Sequence, residues 1–347
     1  MKISIELIPR FINMVRLFFK QLPLYGFQVA FWTFIFPFIR INSLKPYFAM
    51  QKHRSILIYL SKRYSGVIKR FVEKNSVPES AIDPDSAIWI CWWDGEETMP
   101  LLVKACFRTI QQHAGTHPVT FITKFNYMNY ISIPEYILEK LNAGIITVTH
   151  FSNMLRASLL FEYGGIWIDT TILTLQEICF NNIPFHTLKA PAKNSTSVTL
   201  TRYEGLSKNE KYIPNPDTDP QISRWSGFLL AGAKGNIIFD YMKEILYAYW
   251  KDHNDQIEYL LFDYTIALGY DNIPFMKTMI DSVPCSSVEK FVMEKNLNNE
   301  FSEEQFTRYC LTPFHKLTWK KEFNYYTEDH KLTLYGYLIN NLSGNVT

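Results

Sequence analysis

Apolar and polar positions alternate at helical spacing over residues 4–24, where Ile5, Leu7, Phe11, Ile12, Val15, Phe18 and Phe19 are interleaved with Arg10, Arg16 and Lys20. The pattern predicts an amphipathic helix, with Pro9 limiting where it begins. Residues 26–39 are then almost wholly apolar and aromatic, broken by Pro37 and closed by Arg40. A spanning helix needs ~20 apolar residues, so this run is too short to cross a membrane. It also lacks the small-residue cleavage site of a secretory signal. Two readings stay open: an interfacial anchor, which the Phe and Trp content between basic flanks favours, or a hairpin buried on the rest of the chain. Residues 51–75 place Lys52, Arg54, Lys62, Arg63, Lys69 and Arg70 among Ile56, Leu57, Leu60, Val67, Ile68 and Phe71, which predicts a basic amphipathic helix. Residues 76–86, with Pro78 and Pro84, mark a boundary, dividing a helical region at 1–80 from a main domain at 81–347.

Beyond that boundary the period changes. The apolar run Ala87–Trp93 ends in Asp94-Gly95 and predicts a buried strand followed by a turn. A helix over 99–114, a strand over 118–123, a helix over 134–142, a strand over 144–148 and a helix over 151–163 capped by Ser152 follow. Strands at 165–169 and 225–231 and helices at 237–252 and 255–268 complete the pattern. Alternation of this kind predicts an α/β fold with an open, mainly parallel sheet flanked by helices. Ligands of such sheets bind beyond the carboxyl ends of the strands, where Asp94 and Asp169 both fall.

Charge sharpens the division. The chain carries 35 Lys/Arg and 33 Asp/Glu, a net +2. Residues 1–79 hold 13 of the basic residues and 3 of the acidic ones, so the head is +10 and residues 80–347 are −8. A basic, Phe-rich head predicts an anionic membrane surface as partner. Nucleic acid is excluded as the partner, because the cations are interleaved with an apolar face and no recognition module is present. The five cysteines, Cys91, Cys106, Cys179, Cys285 and Cys310, are scattered without zinc-site spacing and are expected as reduced thiols.

Chemistry concentrates between His150 and Thr171. Asn153 and Arg156 are three apart and are expected on one helix face. The Gly164-Gly165 pair stops the helix, and the strand delivers Asp169 to its end with Thr170 and Thr171 immediately after. This block resembles the Ser-Asp-x-x-Arg … Tyr-Gly-Gly-x-x-x-Asp-x-Asp pattern of family 32 and related glycosyltransferases, among them the capsular polysaccharide synthesis proteins. Trp92-Trp93-Asp94-Gly95, Gly232-Ala233-Lys234-Gly235-Asn236, Leu261-Phe262-Asp263-Tyr264 and His315-Lys316-Leu317 extend the likeness over roughly residues 85–320.

The resemblance implies a GT-A-like, Rossmann-related domain that transfers a sugar from a nucleotide-diphosphate donor, UDP-type, to a glycan or lipid-linked acceptor at the cytoplasmic membrane face, with retention. It implies a donor site of Trp92, Trp93, Asp94, Asn153, Arg156, Gly165, Asp169 and Lys316, catalytic carboxylates at Asp169 and Asp263, and Mn²⁺ or Mg²⁺ held by Asp169, Thr171 and His315. A diphosphate leaving group concentrates negative charge, which a metal or cationic side chains must neutralise as it departs. Two positions depart from the pattern: Thr171 stands where the second Asp of Asp-x-Asp is usual, and Asn153 where Ser-Asp-x-x-Arg has its Asp. A hydroxyl binds a cation more weakly than a carboxylate, so a non-catalytic component with a degenerate donor site is one alternative. A sugar-phosphate transferase is another.

Overall fold

The computed structural model describes residues 7–41, 44–74, 80–180, 182–191, 222–223, 225–284 and 290–342. Residues 75–79 of the expected boundary and Cys285 lie outside the described residues. Four helices open the chain: α1 (Leu7–Tyr25), α2 (Phe27–Ile35), α3 (Lys45–Arg63) and α4 (Ser65–Lys74). Residues Phe36–Phe38 form a single 3₁₀ turn around Pro37, which ends α2. No helix among the described residues is long and apolar enough to cross a membrane.

The helices of the head do not build a core of their own. Tyr25, Val29, Ile56, Leu57, Leu60, Tyr64, Ile68 and Phe71 are buried in the same cluster as Phe239, Tyr241, Tyr249 and Tyr264 of the following domain. The last four lie on α8 (Ile237–Asp252) and α9 (Leu261–Asn272). α3 rests on α9 and α4 on α8, and the Tyr25 hydroxyl sits 3.1 Å from that of Tyr249.

A five-stranded sheet forms the centre. Its strands are β1 (Ile88–Cys91), β2 (Val119–Ile122), β3 (Gly165–Ile168), β5 (Phe185–Thr187) and β6 (Leu229–Gly232), ordered β2-β1-β3-β6-β5. β1 is parallel to β2 and β3, while β6 runs antiparallel to both β3 and β5. Four strands therefore share one direction and β6 alone is reversed, which is the mainly parallel α/β sheet expected. Alternation places Trp89, Trp167 and Leu230 in one core and Ile88, Ile90, Ile166, Ile168, Leu229 and Ala231 in the other, so helices cover both faces. A small second sheet pairs β4 (Ile172–Thr174) with β7 (Phe314–Lys316).

One expected strand is absent. Residues 144–147 form turns, and the apolar run at 145–148 leads into α7 (Val148–Tyr163). The physical reason is the cap: Thr147 Oγ1 accepts from the amide of His150 at 3.3 Å, so a residue suited to a strand starts a helix instead. Ser152 accordingly lies inside α7, its hydroxyl donating to the Thr149 carbonyl at 2.8 Å, and is not the cap.

The joint between α7 and β3 is built from the two glycines. Gly165 adopts φ +94°, and a Cβ there would stand 2.2 Å from the carbonyl oxygen of Ala87, directly before the neighbouring strand β1. Gly165→Ala combines backbone strain with a backbone clash and is expected to cost about 3 kcal/mol or more. Thermal unfolding would show this as a drop of several degrees or failure to accumulate folded protein. A variant that melts like the parent would mean the joint is looser than its geometry.

Candidate active site

Beyond the carboxyl ends of β1 and β3 lies a cleft of about 690 Å³, within the size of a small-ligand site. Strand β1 leads Trp92, Trp93 and Asp94 to its rim, and β3 leads Asp169, Thr170 and Thr171 to its floor. Helix α7 contributes Thr149, Ser152 and Arg156, β7 contributes Lys316, and the segment after it contributes Trp319 and Lys320. The two strand ends singled out from the alternation thus meet in one cavity.

Asp169 is the centre of its polar network. Its Oδ1 accepts from Arg156 Nη2 at 3.1 Å and from the Trp167 indole at 3.0 Å. Its Oδ2 accepts from Lys316 Nζ at 3.3 Å. Trp167 and Asp169 are two apart on an extended segment and so share one face. Burial alone would raise the Asp169 carboxyl; Lys316, Arg156 and the Trp167 indole outweigh it and hold the group below the usual carboxylate range. Asp169 is therefore an anion at neutral pH.

Arg156 is almost fully buried, with both terminal nitrogens bonded and its Nε without a hydrogen-bond partner. Its Nη1 donates to the Gly227 carbonyl, and its guanidinium lies 4.9 Å from the Trp167 ring centre and 4.8 Å from that of Phe262. Such a cation is fixed in position before any ligand arrives. Lys316 also donates to the Thr171 hydroxyl, so its ammonium bridges Asp169 and Thr171.

That bridge bears on the metal. A cation held by Asp169 and Thr171 would need the oxygens that Lys316 and Arg156 already engage. His315 does not help: it is fully buried, its Nε2 lies 2.9 Å from the Tyr309 carbonyl oxygen, and strand alternation turns it away from the cleft that Lys316 lines. Among the described residues no three His, Cys, Asp or Glu side chains group around a common point. In this arrangement the Lys316 ammonium stands between Asp169 and Thr171, the two cleft residues that would hold Mn²⁺ or Mg²⁺.

Other expected site residues fall into two groups. Trp92, Trp93 and Asp94 line the cleft. Trp92 donates to Thr98 Oγ1 at 2.8 Å and meets Trp319 edge-on, with ring centres 5.8 Å apart. Trp93 is wedged against Tyr127 and Phe151. Asp94 is exposed at the rim and pairs with Lys124 at 2.8 Å. Asn153, by contrast, is buried and off the lining, where Ser152 takes the place beside Arg156. Gly165 lies at the far end of β3, roughly 13 Å from Asp169 at the rise of an extended strand; its role is the close approach to Ala87, not donor contact.

Asp263 is half-buried and off the described lining, with its Oδ1 accepting from the Trp225 indole at 3.3 Å. Burial raises its carboxyl to about 6, opposed by Trp225 and Arg156. Because the folded pKa exceeds the ~3.9 of the unfolded chain, its contribution to stability is largest below pH 4 and is lost as pH rises from about 4 to 6. Asp263→Asn mimics the neutral form, so it is expected to raise Tm at pH 7.5 by roughly 4 °C, corresponding to about 2 kcal/mol, and to change little at pH 4.5. A lower Tm at pH 7.5 would mean the charge itself holds Arg156.

Sequence reasoning missed Trp319 and Lys320. The signal was present in Thr318-Trp319-Lys320-Lys321, an aromatic among lysines directly after Lys316. Among the described residues Cys91, Cys106, Cys179 and Cys310 are free thiols; Cys91 lines the cleft, and burial pushes Cys91 and Cys106 up to about 12.

Comparison with known proteins agrees with the sequence likeness. The chain belongs to the capsular polysaccharide synthesis protein family, whose family model matches residues 38–338. No curated protein matches it in sequence. Among solved structures, the PaToxG glycosyltransferase aligns over 70% of this chain and 90% of its own, at 13% identity and a TM-score of 0.33.

Proposed function

We propose that this protein is a glycosyltransferase of capsular polysaccharide synthesis, moving a sugar from a UDP-type donor to a glycan or lipid-linked acceptor. The observation that supports this reading is the pre-formed triad of Asp169, Arg156 and Lys316 at the strand ends, inside an aromatic-rimmed cleft. In the transfer the bond from the anomeric carbon to the diphosphate oxygen breaks, the bond to the acceptor oxygen forms, and the acceptor proton is released. Charge left on the diphosphate is neutralised by Lys316, which keeps a third N–H beyond its bonds to Asp169 and Thr171, and by the fixed Arg156 guanidinium. Asp169 orients both cations and offers its charge to donor hydroxyls. Trp92, Trp93 and Trp319 supply faces on which a base or sugar ring can stack.

The chain is read as working at the cytoplasmic face of a membrane, where the aromatic hairpin of α1 and α2 meets an anionic surface. The test of the reaction is calorimetric titration with UDP, then with a panel of UDP-sugars, followed by product analysis of transfer. Binding of UDP with release of UDP on turnover supports the reading, and the anomeric configuration of the product tests retention. Release of UMP would make the protein a sugar-phosphate transferase. No binding of UDP would remove UDP as the donor nucleotide.

A further inference from the structure

Two groups stand out among the basic residues of the head. One is spent on carboxylates of the following domain: Lys20 meets Asp255 at 2.5 Å, Lys52 meets Glu258 at 3.2 Å, Arg63 meets Asp252 at 2.9 Å, Arg70 meets Glu244 at 3.4 Å and Lys74 meets Asp240 at 3.0 Å. These pairs fasten α1, α3 and α4 to the segment 240–258. Their charge is locally balanced and is not what an anionic partner would read.

A second group, led by Arg10 and Arg40, faces a pocket. Arg10, Arg40 and Lys45 line a pocket of about 410 Å³ together with the 3₁₀ turn Phe36–Phe38 and Ile39, and no Asp or Glu is among its described lining residues. Arg10 Nη2 donates to the Pro37 carbonyl at 3.3 Å, which ties α1 to the turn. The pocket edge is apolar and exposed. Phe11 is 51% exposed and packs on Phe38 with ring centres 5.9 Å apart, while Ile41 and Leu44 are 59% and 43% exposed beside Arg40 and Lys45. Phe19 and Phe27 extend the exposed aromatic surface along the same hairpin.

Exposed cations set among exposed rings form a surface with two demands, an anion at the centre and hydrocarbon around it. A phospholipid leaflet meets both at once. Guanidinium groups pair with phosphate oxygens in two-pronged geometry, and the rings sit at the boundary between headgroups and acyl chains. We propose that this pocket binds the phosphate headgroup of an anionic membrane lipid and sets the orientation of the protein on the bilayer. The proposal rests on the membrane-surface reading above and adds to it a defined headgroup site.

The test is sedimentation of the full chain with vesicles of phosphatidylcholine alone and of phosphatidylcholine mixed with phosphatidylglycerol. Wild type is expected to bind the mixed vesicles and to bind the neutral ones far less. Arg40→Gln keeps the Arg10–Pro37 bond and is expected to weaken binding about fivefold, and Arg10→Gln/Arg40→Gln about twentyfold or more. Lys62→Gln/Lys69→Gln removes the same charge away from the pocket and should cost less than about threefold. Unchanged melting of each variant shows that the fold is kept. Equal binding by wild type and Arg10→Gln/Arg40→Gln would overturn the pocket and leave the membrane reading standing. Binding to neither kind of vesicle would overturn both. Displacement from the vesicles by inorganic phosphate, at ionic strength matched with chloride, would make this a free-anion site and overturn the lipid assignment.

Discussion

Asp169→Asn is expected to reduce sugar transfer by about 10³-fold while leaving UDP affinity within about threefold. The amide retains an oxygen for the Trp167 indole and for Arg156, so the local packing survives. What disappears is the negative charge that places Lys316 and Arg156 and faces the donor hydroxyls. UDP itself carries no transferred sugar, and its diphosphate gains two cations relieved of a competing carboxylate. Binding and turnover should therefore separate, which simple unfolding would not produce. Single-turnover transfer and calorimetry on the same preparation check this. Turnover at the wild-type rate would remove Asp169 from the chemistry.

The second large effect concerns the cation. Lys316→Ala is expected to weaken UDP binding by about 10- to 100-fold, the range of a lost charge-assisted contact. EDTA is expected to leave the wild type's UDP affinity unchanged, because the position between Asp169 and Thr171 is taken by an ammonium. The two results make a sharper experiment together. Thr171→Asp combined with Lys316→Ala removes the ammonium and restores a second carboxylate, so UDP binding should become dependent on Mn²⁺ and sensitive to EDTA. Loss of wild-type UDP binding in EDTA would overturn the built-in cation, whatever the double variant does.

Much of this architecture was written in hydrophobic period. The helix at Ile237–Asp252 matches its sequence reading because Asn236 caps it and its apolar face is long. β1 and β3 were legible as short apolar runs closed by turn signals, and that alone placed Trp92–Asp94 and Asp169 at one end of the sheet. What failed has specific causes. The apolar run at 145–148 suits a strand by composition, but the Thr147 cap decides for helix, and a cap is a one-residue signal. His315 and Lys316 are neighbours in sequence and point to opposite sides of β7, so the choice between them turned on strand parity that the local sequence does not contain. Gly165 looked like part of the donor motif, whereas its constraint comes from Ala87, 78 positions away. Asp263 looked like a cleft carboxylate because nothing local reveals that its partner is the Trp225 indole, 38 positions away.

The docking of α3 has a consequence for how this protein can vary. His53 Nδ1 lies 2.5 Å from the hydroxyl of Tyr264, the residue next to Asp263, while Phe262 one step earlier stacks on Arg156. Burial pushes the His53 imidazole down to about 3, so it is neutral and its partner cannot be a surface accident. A head that were only an appendage could be exchanged freely between relatives. Here a change of shape on α3 would be felt at Tyr264, and a graft of another protein's head would have to bring a matching α9. Lineages that remodel the head are thus expected to change both segments together.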